Sequence, residues 1–123
     1  MTTRMNAMWN CKNPHQGTIT KVLAICSAGL LRSPTIAKEC ILKGYNARSA
    51  GCQDYALIPV DKVLLEWADV IIFADESHEK KVKQDFDLDK NKITFCLNIP
   101  DNYGYNNPDL VKRIREGLMK CSL

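Results

Sequence analysis

The chain has 123 residues, 46% of them apolar and 25% charged, with a formal net charge of +3. That length supports one domain with its own core, and so mild a charge, with no basic block or aromatic-interleaved basic stripe, argues against a nucleic-acid partner. No run of about 18 apolar residues is present to span a membrane, and residues 1–17 lack the apolar centre of a secretory signal.

Residues 1–18 read as an irregular N-terminal arm, in which Met5, Met8 and Trp9 stand isolated and Asn13-Pro14 and Gln16-Gly17 are turn signals. Residues 19–123 read as the folded domain. The apolar run ending Lys21-Val22-Leu23-Ala24-Ile25 predicts a first strand over 19–25. A tight loop follows, then a helix over 34–42 with Ser33 as N-cap, Pro34 at its first position and Gly44 closing it. A second strand is predicted over 45–49, running into Ala50-Gly51, with a loop over 52–59. Val60, Val63, Leu64 and Trp67 recur at helical spacing and predict a helix over 60–68 with those residues inward. Residues 69–74 are apolar on both faces, as in a covered parallel strand. A charged helix over 75–86 turns Val82 and Phe86 inward, and its Lys80-Lys81-Val82-Lys83 cluster is offset by Glu76, Glu79 and Asp85 as on a solvated face. A fourth strand over 92–97, a Pro/Asn/Gly loop over 99–107 and a helix over 108–121 with Leu110, Val111, Ile114 and Leu118 inside complete the chain.

Strands alternating with helices predict an α/β fold, a parallel sheet with helices on both faces and right-handed crossovers. Ligands of such sheets bind beyond the carboxyl ends of the strands. Cys26, Asp75 and the loop carrying Asp101 all fall at that edge. The six cysteines (Cys11, Cys26, Cys40, Cys52, Cys96 and Cys121) show no Cys-x-x-Cys spacing. They predict no zinc site, but free thiols in a reducing, cytoplasmic setting.

The loop Cys26-Ser27-Ala28-Gly29-Leu30-Leu31-Arg32-Ser33 carries the chemistry. A strand passing through a tight loop into a helix start leaves backbone N–H groups converging on one spot, which favours an anion. A cysteine is a nucleophile as thiolate, and an unperturbed thiol has a pKa near ~8.5, so it needs positive potential nearby. The N–H groups of Ser27, Ala28, Gly29, Leu30, Leu31, Arg32 and Ser33, the helix dipole and the Arg32 guanidinium supply it. Arg32 suits a phosphate because its planar fork makes two parallel hydrogen bonds. Gly29 permits positive φ where the backbone wraps the anion, and the Ser33 hydroxyl is placed to donate to the thiolate. The pattern predicts a phosphate site with a thiolate beneath it.

Cys-x5-Arg-Ser-Pro after the first strand resembles the low-molecular-weight protein tyrosine phosphatases. Arg48-Ser49-Ala50-Gly51 is similar to that family's Ser-Ala-Gly segment. The stretch from Trp67 through Asp75-Glu76-Ser77-His78 resembles its strand and Asp-Glu-Ser turn, and Asp101-Asn102-Tyr103 its Asp-Pro-Tyr loop. Leu97-Asn98-Ile99-Pro100-Asp101-Asn102-Tyr103 looks closest to a compact bacterial and phage branch. The resemblance runs from Lys21 to the C-terminus. It implies a three-layer α/β sandwich with a four-stranded parallel sheet in the order 2-1-3-4. It also implies hydrolysis of phosphotyrosine or another aryl phosphate monoester, on a protein or a small molecule, without metal or cofactor. In that scheme Cys26 attacks phosphorus to form a phosphocysteine. Arg32 and the loop N–H groups stabilise the transition state, and Asp101 is the acid, then the base. Ser33 stabilises the leaving thiolate, Ser49 braces the loop, Asp75 orients the site, and Tyr103 and Tyr55 stack on an aromatic substrate.

The chain departs from the family at Gly29, where asparagine is common, and at Leu31, where a second cysteine often guards the nucleophile. Asn102 stands in place of the proline of Asp-Pro-Tyr, and the bracing histidine often found between residues 51 and 60 is missing. The residues leave three other readings open: an arsenate reductase with relay cysteines, a sugar-transport phosphocarrier domain holding phosphate on Cys26, and a non-catalytic phosphate-binding module.

Overall fold

Four short parallel strands, β1 (Lys21–Cys26), β2 (Asn46–Gly51), β3 (Val70–Phe73) and β4 (Ile93–Cys96), form one sheet in the order β2-β1-β3-β4 in a computed structural model of the chain. The structure describes residues 19–29, 31–100 and 102–123. The predicted arm over 1–18, and with it Leu30 and Asp101, lies outside the described residues. Helices α1 (Arg32–Leu42), α2 (Lys62–Trp67), α3 (Glu76–Asp85) and α4 (Pro108–Lys120) alternate with the strands. Register pairs Cys26 with Gly51, Ile25 with Phe73 and Phe73 with Cys96, so the carboxyl ends of all four strands finish level on one edge.

Successive strand side chains point to opposite faces, and here both faces are covered. Val22, Ala24, Cys26, Val70 and Ile72 pack with Ile36, Cys40, Leu110, Ile114 and Leu118 of α1 and α4. Leu23, Ile25, Ile71 and Phe73 pack with Leu65 and Val82 of α2 and α3. This is the expected three-layer sandwich, and it explains why β1 and β3 read as unbroken apolar runs. Each large side chain so buried contributes about 1.5–3 kcal/mol. Among the described residues no helix is long and apolar enough to cross a membrane.

Of three local expectations two are corrected, and one, Gly44 as the residue that closes the first helix, is upheld. The first concerns Ser33, which does not cap α1: that helix begins at Arg32 with Leu31 at the cap and no side-chain cap bond. The Ser33 hydroxyl is instead engaged with the Cys26 sulfur at 3.1 Å and donates to the Ala50 carbonyl at 3.3 Å. The second is the end of α1, where Lys43 is the cap and Gly44 follows it at φ +98°. There the Gly44 N–H meets the Ile41 carbonyl at 2.9 Å and the Tyr45 N–H the Cys40 carbonyl at 3.0 Å, the Schellman arrangement that favours glycine. The third is α2, which starts late because the Asp61 carboxylate caps it through the Leu64 N–H at 2.8 Å. In the shortened helix Leu65 is buried and Val63, expected inward, is 71% exposed. Val60 is buried ahead of the helix, its N–H on the Gly51 carbonyl at 2.8 Å.

Candidate active site

β1 delivers Cys26 to the level edge of the sheet, 3% exposed at the floor of the following loop. Its Sγ accepts the Gly29 N–H at 3.2 Å and, as thiol, donates to Ser33 Oγ at 3.1 Å. The chain takes φ +74° at Gly29, a left-handed conformation that glycine adopts without a Cβ penalty. A Cβ there would also lie 3.0 Å from the Gly51 nitrogen and 3.1 Å from the Ala50 carbonyl carbon. Gly51 is more tightly enclosed, since a Cβ on it would come within 2.5 Å of the Ala56 Cβ and 2.7 Å of both the Ala28 carbonyl carbon and the Ser27 oxygen. The two glycines let the loop lie directly on the end of β2. The segment after β2 then takes up the outward carbonyls of the loop: Cys52, Gln53 and Leu57 donate to Cys26, Ser27 and Ala28 at 2.8, 3.1 and 3.3 Å. A trans peptide carries its C=O and N–H on opposite sides, so tying these carbonyls outward turns the following amides inward.

Arg32 closes the loop and is 4% exposed. Its Nη1 donates to the Ile99 carbonyl at 2.9 Å, and its Nη2 lies 3.3 Å from His78 Nε2. His78, 2% exposed, stands in the first turn of α3. Its Nδ1 accepts the Asp75 N–H at 3.0 Å, and its Nε2 is 2.9 Å from Ser27 Oγ. The Asp75 carboxylate, expected to orient the site, is turned into the start of α3, where it accepts from the Ser77 hydroxyl at 2.8 Å and the Ser77 N–H at 3.2 Å. Those two bonds hold it below the usual carboxylate range. The link from Asp75 to the loop therefore runs through its backbone and His78. Local sequence pattern does not assign His78 a role; the signal it offers is a histidine in the first turn of a helix that opens, under an Asp cap, at the carboxyl end of a strand.

Ser49 lies in β2 opposite Ala24, and its hydroxyl makes no hydrogen bond among the described residues. The loop is braced instead by the Ala50 carbonyl and the backbone of Gly51. Asp101 and Leu30 lie outside the described residues, but the segment around residue 101 is anchored on both sides. The Ile99 N–H bonds the Ala74 carbonyl at 2.7 Å. The Asn106 N–H bonds Thr35 Oγ1 at 2.9 Å, and Thr35 in turn donates to the Leu31 carbonyl. Tyr103 is half-buried against the α1/α4 face, whereas Tyr55 is 73% exposed. The remaining thiols differ in setting. Cys52 and Cys96 belong to the α2/α3 face, opposite Cys26, and burial raises both above the usual thiol range. Cys40, on the buried face of α1, is pushed up by burial to about 12.

No protein-family model matches the chain, and no curated protein matches it. Solved structures do match. The tyrosine phosphatase Wzb from Escherichia coli K30, in complex with phosphate, aligns with a TM-score of 0.66 at 15% identity over 85% of this chain and 96% of its own. The low molecular weight protein tyrosine phosphatase of Streptococcus pyogenes aligns with a TM-score of 0.63 at 14% identity over 84% and 91%. The YwlE arginine phosphatase of Geobacillus stearothermophilus aligns with a TM-score of 0.60 at 18% identity over 84% and 93%. At these identities the likeness establishes the fold, and that fold is the one shared by the low-molecular-weight protein tyrosine phosphatases.

Proposed function

We propose that this chain hydrolyses aryl phosphate monoesters, phosphotyrosine in a protein or a small aryl phosphate, through a phosphocysteine intermediate. The observation that carries the proposal is the pairing of Cys26 Sγ with the Gly29 amide at 3.2 Å beneath the buried Arg32. A sulfur already accepting a loop N–H, in a loop that ends on a guanidinium fork, suits attack on an oxyanion held by that loop. Residues 19–123 form the working unit, and the cytoplasm is the compartment proposed for its free thiols.

In the first step the Cys26 sulfur attacks phosphorus. The P–S bond forms as the P–O bond to the leaving group breaks, while Arg32 and the loop amides hold the equatorial oxygens. Asp101 gives its proton to the leaving oxygen and then takes one from the water that cleaves the P–S bond. Anchoring of its segment at Ile99 and Asn106 supports this assignment. As the thiolate departs, the Ser33 hydroxyl turns from the Ala50 carbonyl and donates to sulfur. Tyr103 offers an aromatic wall; Tyr55, largely exposed, meets a ring only at the outer mouth. An arsenate reductase needs a second thiol to relay electrons, and the placement of Cys52 and Cys96 on the opposite face of the sheet counts against it.

The test is hydrolysis of p-nitrophenyl phosphate in the presence of EDTA. The wild-type protein turns over, Cys26→Ser does not, and Cys26→Ser still binds inorganic phosphate. Unimpaired turnover by Cys26→Ser would reject the nucleophile.

A further inference from the structure

The hydrogen bonds around His78 determine where its proton sits. A backbone N–H can only donate, so Nδ1, which receives the Asp75 amide at 3.0 Å, is the unprotonated nitrogen, and the neutral ring carries its hydrogen on Nε2. That N–H points at Ser27 Oγ, 2.9 Å away. The Arg32 guanidinium, 3.3 Å from the same nitrogen, is itself a donor and is not the acceptor. A hydroxyl has one hydrogen and two lone pairs. With a lone pair of Ser27 taken by His78, the Ser27 hydrogen is directed away from the ring.

Ser27 is the residue directly after the nucleophile, and its hydroxyl meets the same imidazole nitrogen as the Arg32 fork. We propose that the Ser27 hydroxyl is a side-chain ligand of the bound phosphoryl group, and that His78 is the positioning residue that aims it. His78 Nε2–H donates to Ser27 Oγ, and Ser27 Oγ–H donates to a phosphoryl oxygen. No proton changes hands; the first bond polarises the hydroxyl and strengthens the second. The pair also ties the start of the loop to α3, a brace independent of the one from β2. This inference rests on the phosphate-site reading of the loop and adds to it a side-chain donor beyond the backbone amides and Arg32.

The experiment is titration of inorganic phosphate by calorimetry, which needs no turnover, alongside steady-state kinetics on p-nitrophenyl phosphate. Loss of one hydrogen bond to a charged group corresponds to about a tenfold weakening. Ser27→Ala is expected to weaken phosphate about tenfold and to raise KM in step with little change in kcat, as removal of a ligand used throughout the reaction should. Ser27→Thr, which keeps the hydroxyl, is expected to bind as wild type. His78→Phe should match Ser27→Ala, and the double variant should be no worse than either, because both break one relay. Phosphate binding by Ser27→Ala within about twofold of wild type would overturn the proposal, as would losses that multiply in the double variant. A protein that binds phosphate through Ser27 yet fails to hydrolyse the ester supports this inference and rejects the hydrolase reading alone.

Discussion

Arg32 Nη1 donates a 2.9 Å hydrogen bond to the carbonyl of Ile99, across 67 residues of chain. The arginine at the end of the anion loop is therefore held by the segment that leads, two residues later, into Asp101. A guanidinium carries five donors in a fixed planar fork and can serve Ile99 and an anion together, whereas an ammonium is a point charge on a flexible stem. Arg32→Lys is expected to lower kcat/KM on an aryl phosphate by about 10²–10³-fold, the usual consequence of losing a preorganised donor. Steady-state kinetics checks this; activity near wild type would show that the fork is not used.

The two glycines that let the loop rest on β2 are expected to differ in how a methyl group harms them. Gly29→Ala must hold φ +74° and press on the Gly51 nitrogen at 3.0 Å, a left-handed penalty of about 1–2 kcal/mol. Gly51→Ala meets one side chain and two backbone atoms of the loop at 2.5–2.7 Å, so the loop itself must move, at about 1–3 kcal/mol. Ala56→Gly in the Gly51→Ala background removes only the side-chain clash. It is expected to recover part of the stability and little of the activity. Chemical denaturation and phosphatase assays on the three variants separate the two effects, and full recovery of activity by the double variant would contradict the backbone clash.

Among the thiols, Cys40 is the clearest non-reactor. Burial pushes it up to about 12, so at pH 7.5 it is held as thiol in the folded protein. Iodoacetamide at that pH is expected to leave Cys40 unmodified over the time in which Cys26 is labelled, and millimolar phosphate to slow labelling at Cys26 alone. Peptide mass mapping reads both. Labelling of Cys40 at the rate of Cys26 in the folded protein would refute the ordering.

Asp75 and Asp101 are separable by pH and by leaving group. The Ser77 hydroxyl, and after it the Ser77 amide, lower the Asp75 carboxyl below its ordinary value. A carboxylate depressed in the folded state contributes stability that is present above its unfolded pKa, ~3.9, and is lost as pH falls through the lower folded value. Asp75→Asn keeps an N-cap but not the charge, so its stability deficit should be constant near neutrality and vanish in acid. Asp75→Ala should cost about 1 kcal/mol at pH 7, the usual worth of a cap. Both should remain active, because His78 is held by the Asp75 backbone. Asp101→Asn, by contrast, should slow phenyl phosphate far more than p-nitrophenyl phosphate, since the poorer leaving group needs the proton. An unchanged rate on phenyl phosphate would move the acid elsewhere.

How far the sequence reaches depends on how far apart the interacting residues are. β1, the Cys-x5-Arg loop and α1 were legible because their signals are local: an apolar run, a glycine and a Ser-Pro pair within a few residues. The level sheet edge followed from alternation of strands and helices. Ser33 shows where local reasoning fails. Its position before Pro34 looks like a cap, yet the hydroxyl is captured by Cys26 and by the Ala50 carbonyl from another strand. Val63 fits a helical stripe, but the Asp61 cap starts the helix late and turns that residue outward.

What only the tertiary structure decided is the set of contacts made across long stretches of chain. Those contacts are His78 to Arg32 across 46 residues, Ile99 to Arg32 across 67, and the close approach of Gly51 to Ala28 and Ser27. The sequence by itself determined which residues are proposed as nucleophile and anion fork, and their order, because a cysteine and a cradle on one short loop are neighbours in the chain. Which groups hold that loop in shape depends on strand register and crossover. These bring the ends of β2, β3 and β4 to one edge, and periodicity in the chain does not encode which side chains meet there.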